Sequence, residues 1–347
     1  MISPTGSSLP NPFARHRLPP PLVSIVIPVY NRASLIRETI DSCLRQSHCP
    51  FEIILVDDCS TDDLASALLP FEEDIRVRLV RHERNQGVSA ARNSGVCAAR
   101  GAYVAFLDSD DAWRSDKLEK QVAHVSAQSS ANIICGTLTE VRSEGNATRM
   151  RPKRRKPTDV ALGDYLFVDK VQRSLPAVDW QDALMMGGCF AQTSSLLLPT
   201  ALAAATPFRA ELNQYEDMAF LLDLDRKGVE FLLVEEPLTL QNDDDRPGRL
   251  GARDDIERGM RFLDAVGHQL SPDARLAFEV THLAHLYGKA RPIKMLGLVF
   301  KAFLRGAIAP KSVLGVLSRS FLGQAGQKAL RDRLAAGRWR SRDQEPA

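Results

Sequence analysis

The chain has 347 residues, 25% charged and 44% hydrophobic, with a net charge of +2. These proportions are those of a globular protein and exclude collagenous or low-complexity chains; no apolar run reaches the length of a membrane-spanning helix. The length exceeds a single core, so one large α/β domain with an appendage is expected.

Charge is unevenly spread. Residues 289–340 carry twelve basic side chains against the single acid Asp332, an excess of +11 that leaves −9 for the remainder. An acidic body with a basic tail predicts that only the tail meets an anionic surface. The six cysteines (Cys43, Cys49, Cys59, Cys97, Cys135, Cys189) show no CxxC or other ligand spacing. They fit a reduced cytosolic protein better than a zinc site or a disulfide framework. Residues 1–21 are Pro/Ser-rich without an apolar core, and read as a disordered tail rather than a signal peptide.

Residues 22–29 (LVSIVIPV) are nearly continuous and β-branched, the pattern of a strand buried on both faces of a parallel sheet. Pro28 stands near the end of that strand, where a missing donor does least harm. A loop at Tyr30-Asn31-Arg32 follows, then a helix over 34–46 with Leu35, Ile36, Thr39, Ile40, Cys43 and Leu44 on one side. The strand at 51–56 runs into Asp57-Asp58-Cys59-Ser60-Thr61-Asp62; a helix at 62–69 and a strand at 76–81 come next. Residues 88–100 place Ala90, Ala91, Gly95, Ala98 and Ala99 at helical spacing, predicting a closely packed helix that Gly101 ends.

Residues 102–107 form a short apolar strand that stops in Asp108-Ser109-Asp110-Asp111. Three carboxylates within four residues repel one another unless a cation sits among them. A hard divalent ion shared with substrate phosphates is one solution. A solvated turn in which Asp111 or Ser115 caps the next helix is the other. The βαβαβαβ order predicts a parallel sheet with right-handed crossovers. Ligands of such sheets bind outside the carboxyl ends of the strands, where PVYNR, VDDCSTD and LDSDD converge. Arg92 is either a ligand for a pyrophosphate or a solvated helix charge.

After a helix at 117–126 and a strand at 132–138, residues 149–157 (RMRPKRRKP) form a basic loop. A solvated loop is the common explanation; contact with an anionic acceptor or lipid head groups is the alternative. No aromatic interleaving supports nucleic-acid binding. Residues 187–198 (GGCFAQTSSLLL) suggest a strand and loop on the acceptor side, with no role for any one atom. Tyr215-Glu216-Asp217 opens a helix over 218–227 closed by Gly228, and its carboxylates are favoured by the helix dipole. A strand at 231–239 leads to a loop at 241–249.

Residues 23–32, 52–62 and 85–111 together resemble the nucleotide-sugar half of glycosyltransferase family 2, inverting enzymes of GT-A fold. The resemblance covers about residues 22–245, with 1–21 and 336–347 as tails and a helical C-terminal region at 251–335. It implies an α/β fold: a mostly parallel nucleotide-binding sheet with helices on both faces, up to residue 250. Pro28, Tyr30 and Arg32 would wall the base and ribose pocket, and Asp57 or Asp58 would accept a hydrogen bond from the base. Arg92 would lie near the pyrophosphate. Asp108 and Asp110 match the DxD pair, with Asp110 on a divalent metal (Mn²⁺ or Mg²⁺) and Asp108 on ribose or metal; Asp111 is a further candidate. Asp217 matches the catalytic base, with Glu216 supporting it. Where many relatives carry a His, this chain has Asn242, Asp243, Asp244 and Asp245, which puts a third protein ligand in doubt.

The implied activity is inverting transfer of a sugar from a nucleoside-diphosphate donor, expected to be UDP, to a carbohydrate or lipid-linked acceptor. The setting would be surface or exported polysaccharide synthesis at the cytoplasmic side of the envelope. The QxxRW signature of processive synthases is missing. A nucleotidyltransferase would want a Gly-rich, Lys-bearing phosphate loop near the start and would not need Asp217; a non-catalytic scaffold that kept the fold would show no turnover.

Beyond residue 254 helices are expected at 254–269, at 272–288 with Ser271 as cap, at 292–308 and at 311–322. His282 and His285 share a face and read as packing histidines. Residues 292–308 (PIKMLGLVFKAFLRGAI) combine apolar side chains with Lys294, Lys301 and Arg305. Peripheral membrane contact through 292–322 is therefore expected, against the alternative of packing on the enzyme or a second subunit.

Overall fold

The computed structural model describes residues 19–48, 50–128, 130–143, 148–151, 166–168, 192–243, 256–287, 291–310, 312–318 and 320. The tail at 1–18, most of the basic loop, residues 187–191, Asp244, Asp245 and residues 321–347 lie outside the described residues.

Four parallel strands carry the nucleotide-binding half: β1 (Val23–Val29), β2 (Phe51–Asp57), β3 (Val77–Arg81) and β4 (Tyr103–Phe106). Every residue of β1 and β2 is buried, because helices cover both faces. Ile25 and Ile27 pack with Ile36 and Ile40 of helix α1 (Ile36–Leu44), while Val26 points to the opposite core. A short helix α2 (Leu64–Leu68) is capped by Asp63. Helix α3 (Val88–Ala98) approaches β1 so closely that a Cβ on Gly95 would lie 2.2 Å from Val26 Cγ1. The small residues of that helix are thus the condition of its packing.

Gly101 does not end α3. The helix stops at Ala98 with Ala99 already extended; a Cβ on Gly101 would meet the Leu22 carbonyl oxygen at 2.6 Å, so the glycine permits close passage beside β1. Helix α4 (Lys117–Ser126) likewise lacks the expected cap from Asp111 or Ser115: Asp116 stands at its N-cap, without a capping hydrogen bond, and pairs with Lys120.

The second half of the sheet is mixed. Strands β5 (Ala112–Trp113), β6 (Ile133–Ser143), β7 (Thr148–Arg151), β8 (Leu197–Pro199) and β9 (Glu230–Asp243) complete the order β3-β2-β1-β4-β8-β6-β9-β5, with β7 on β6. Strand β8 runs antiparallel to β4 and β6, β5 antiparallel to β9, and β6 parallel to β9. An apolar run does not encode strand direction, which is set by how the chain returns to the sheet.

Helix α5 (Thr200–Ala205) follows β8, and α6 (Glu216–Arg226) precedes β9, with Gly228 in the left-handed region after it. The appendage comprises α7 (Ile256–Val266), α8 (Pro272–Phe278), a π turn (Glu279–Leu283), α9 (Ala284–Tyr287) and α10 (Pro292–Leu304). Ser271 caps α8 as expected, accepting from the Ala274 amide at 3.0 Å. A continuous apolar cluster runs from Val26 and Phe106 through Phe220 to Phe278, Val299 and Val316, so these helices share the core of the sheet. Tyr215, just before α6, is held between Phe262, Phe278 and His282, with centroids 5.6, 5.1 and 5.5 Å away.

Candidate active site

The acidic turn after β4 is fixed from three sides. Thr39 Oγ1 donates to the carbonyls of Ser109 and Asp111 at 3.1 and 2.8 Å. Ser194 Oγ donates to Asp111 Oδ2 at 2.6 Å and accepts the Asp108 amide at 3.1 Å. Asn242 Nδ2 donates to the Asp110 carbonyl at 2.7 Å. Asp111 is buried, takes a further bond from Gln192, and burial beside Asp108 and Asp110 holds its carboxyl well above the usual range. Asp111 thus faces inward, held by Ser194 and Gln192.

Asp108 and Asp110 remain partly exposed at the edge of the crevice. Asp108 Oδ1 is bound by Arg92 Nη2 at 2.7 Å, and Arg92 Nη1 reaches Glu216 Oε1 at 3.0 Å. One buried guanidinium therefore joins the turn after β4 to the start of α6, with the Phe208 ring 5.1 Å beneath it. The solvated alternative for Arg92 is excluded. Two carboxylates keep it protonated against the cost of burial. Its Nε is buried without a hydrogen-bond partner among the described residues.

Asp217 follows Glu216 in the first turn of α6. Desolvation and the neighbouring Glu216 charge push its carboxyl up to about 7, partly offset by the Met218 amide and Arg92. Its Oδ1 accepts that amide at 2.8 Å. Tyr215 immediately before it has φ +63, a left-handed conformation for a bulky residue. The aromatic clamp on Tyr215 enforces that turn and aims the two carboxylates, the kind of strain found at functional sites.

On the opposite wall, Asn31 (φ +54) accepts from Thr61 and Asp62 amides and donates its own amide to Ser60, clasping the loops after β1 and β2 together. Tyr30 is exposed beside this clasp, Pro28 lies within β1, and Arg32 Nε stands 3.9 Å from Asp110 Oδ2. Asp57 is turned inward to the Ser60 amide and to Arg81. Asp58 accepts from His82 and the Gln86 amide on Oδ1 and from the Gly87 amide on Oδ2. Asp58 is buried with both oxygens engaged. Arg32, Asp110, Asp108, Arg92 and Glu216 thus form one charged network, and Asp217 lies within electrostatic reach of Arg92 and Asp108.

Two half-exposed carboxylates suit a hard divalent ion whose remaining ligands are water and substrate phosphate. No cluster of three or more ligating side chains exists among the described residues, and Asn242 is engaged with Asp110, so the donor set fits such an ion only with the substrate's oxygens added. Sequence reasoning missed Asn31, Thr39, His82 and Ser194; only the left-handed tolerance of Asn gave any local signal.

The Glycosyl transferase family 2 profile matches residues 24–184. The chain is 48% identical over 117 residues, 33% of its length and 46% of the relative's, to the putative teichuronic acid biosynthesis glycosyltransferase TuaG of Bacillus subtilis. Amylovoran biosynthesis glycosyltransferase AmsB of Erwinia amylovora is 27% identical over 256 residues, 72% of this chain and 78% of that one. The chain thus spans less than half of TuaG and most of AmsB. Among solved structures, residues 1–349 of S. aureus TarS in complex with UDP-GlcNAc superpose with a TM-score of 0.58 at 16% identity, covering 88% of this chain and 87% of that one. That likeness establishes the mixed α/β sheet as the shared fold. The matched segment contains nearly all of β1, the strands through β6 and the whole acidic turn, so over this span the chain is similar to glycosyl transferase family 2.

Proposed function

We propose that the chain transfers one sugar, with inversion, from a uridine-diphosphate sugar to a hydroxyl of a carbohydrate or lipid-linked acceptor in surface polysaccharide synthesis. The observation that carries the reading is Asp217: a carboxyl brought to about 7, one residue from the Arg92 bridge that ends on Asp108. A base tuned near neutrality is what deprotonation of an attacking alcohol needs. The names of TuaG and AmsB, both polysaccharide biosynthesis glycosyltransferases, and the UDP-GlcNAc bound by TarS support the class of donor and acceptor.

In this reading Tyr30, Pro28 and Asp58 line the base pocket, and Arg32 and Arg92 bracket the diphosphate side. Asp108 and Asp110 would hold a divalent ion, which would offset the charge gathering on the leaving diphosphate. Glu216 keeps Arg92 in place and raises the basicity of Asp217. The reaction is assigned to the cytoplasmic side of the envelope.

The test is a screen of UDP-sugars with Mn²⁺ or Mg²⁺, scored by UDP release with and without acceptor lipid extracts. Metal-dependent release that chelator abolishes and Asp217→Asn suppresses is expected. Release equal to a protein-free blank with every donor would refute the proposal.

A further inference from the structure

Helix α10 has two apolar sides. Met295, Val299 and Ala302 are buried against the core. Ile293, Leu296, Phe300, Phe303 and Leu304 repeat at helical spacing on the other side, and Ile293, Phe300 and Leu304 are 86, 62 and 67% exposed. Leu314, 68% exposed, extends the stripe beyond the helix. Between the two segments lies an apolar groove of about 380 Å³ lined by Leu296, Val299, Phe300, Phe303, Val313 and Leu317. A soluble face does not carry this much contiguous apolar surface without an occupant.

Charge identifies the occupant. No acidic residue occurs between Glu279 and Asp332, whereas nine basic residues do. Arg291, Lys294, Lys301 and Arg305 are exposed around the stripe, and Arg305 pairs with Asp273. A second copy docking about a two-fold axis would bring like-charged rims together. Residues 321–347, which follow these segments, hold six basic residues against three acids and are no better matched. An apolar stripe edged by cations is complementary to an anionic phospholipid surface.

We infer that the exposed face of α10, continued by Leu314, is a membrane-docking surface that lies in the interface of anionic bilayers. It does not cross them: no helix among the described residues is long and apolar enough. The inference is independent of the reaction proposed above, since its readout is lipid binding.

Flotation of the full chain with phosphatidylcholine vesicles, and with equal parts phosphatidylcholine and phosphatidylglycerol, tests it. Binding is expected only to the anionic vesicles and is lost at high salt. Lys294→Gln with Lys301→Gln lowers the partition coefficient by about 25-fold, about fivefold per cation. Phe300→Asp with Leu304→Asp abolishes flotation while leaving the melting temperature unchanged, because both side chains are already exposed. Equal flotation of the wild type and the aspartate variant would overturn the inference. So would a wild-type dimer in light scattering that the aspartate variant converts to monomer, or absence of binding to anionic vesicles.

Discussion

Replacing Asp217 by Asn separates the stability of the site from its chemistry. The Asp217 carboxyl rises from 3.8 to about 7 in the folded chain. Three pH units correspond to about 4 kcal/mol of disfavoured ionisation, reduced to about 2–4 kcal/mol because the residue is only half-buried. A carboxyl whose folded value lies above its unfolded one contributes most stability below pH 4 and loses that contribution as pH rises to about 7. At pH 8 the wild type therefore bears the full cost and the Asn variant none. For a chain of this length the variant should melt about 3–5 °C higher at pH 8 and at the same temperature as the wild type near pH 4. Calorimetry across that range, paired with a transfer assay, reads both effects. The wild-type rate should fall below an apparent pKa near 7, and the variant should be inactive throughout. An Asn variant that melts lower than wild type at pH 8, or by the same margin at every pH, would refute the account of Asp217 as a desolvated base.

Arg92→Lys keeps the charge but cannot bridge two carboxylates; it should cost about a hundredfold in kcat/KM through misplacement of Asp108 and Glu216, measured by steady-state kinetics. Gly95→Ala puts a methyl 2.2 Å from Val26 and should destabilise the fold by about 1–3 kcal/mol in urea unfolding. Lys117 is fully buried, 3.8 Å over Trp113 and bonded to Gln121, and desolvation lowers its amine to about 7. Its folded value lies below its unfolded one, so the cost of keeping it grows as pH falls from 10.5 and is complete below 7. Lys117→Met should raise the melting temperature at pH 6 by more than at pH 10.

Residues 22–113 wrote much of their own structure. Buried parallel strands need uninterrupted β-branched runs, and 22–29 and 51–56 could hardly be read otherwise; β1, β2, β3 and β4 follow within a residue or two. The small-residue spacing of 88–100 likewise announced a helix that must touch its sheet, as Gly95 does. What the sequence could not carry was anything decided between distant segments. Strand direction in the second half, Asp111 bonding to Ser194 across 83 residues, and the Arg92–Glu216 pair across 124 depend on how the chain returns to the sheet edge. An aspartate reads the same in sequence whether it faces water, a guanidinium or a serine. Its charge state, and therefore whether it grips, braces or takes a proton, is set by the desolvation and partners that only the folded crevice supplies.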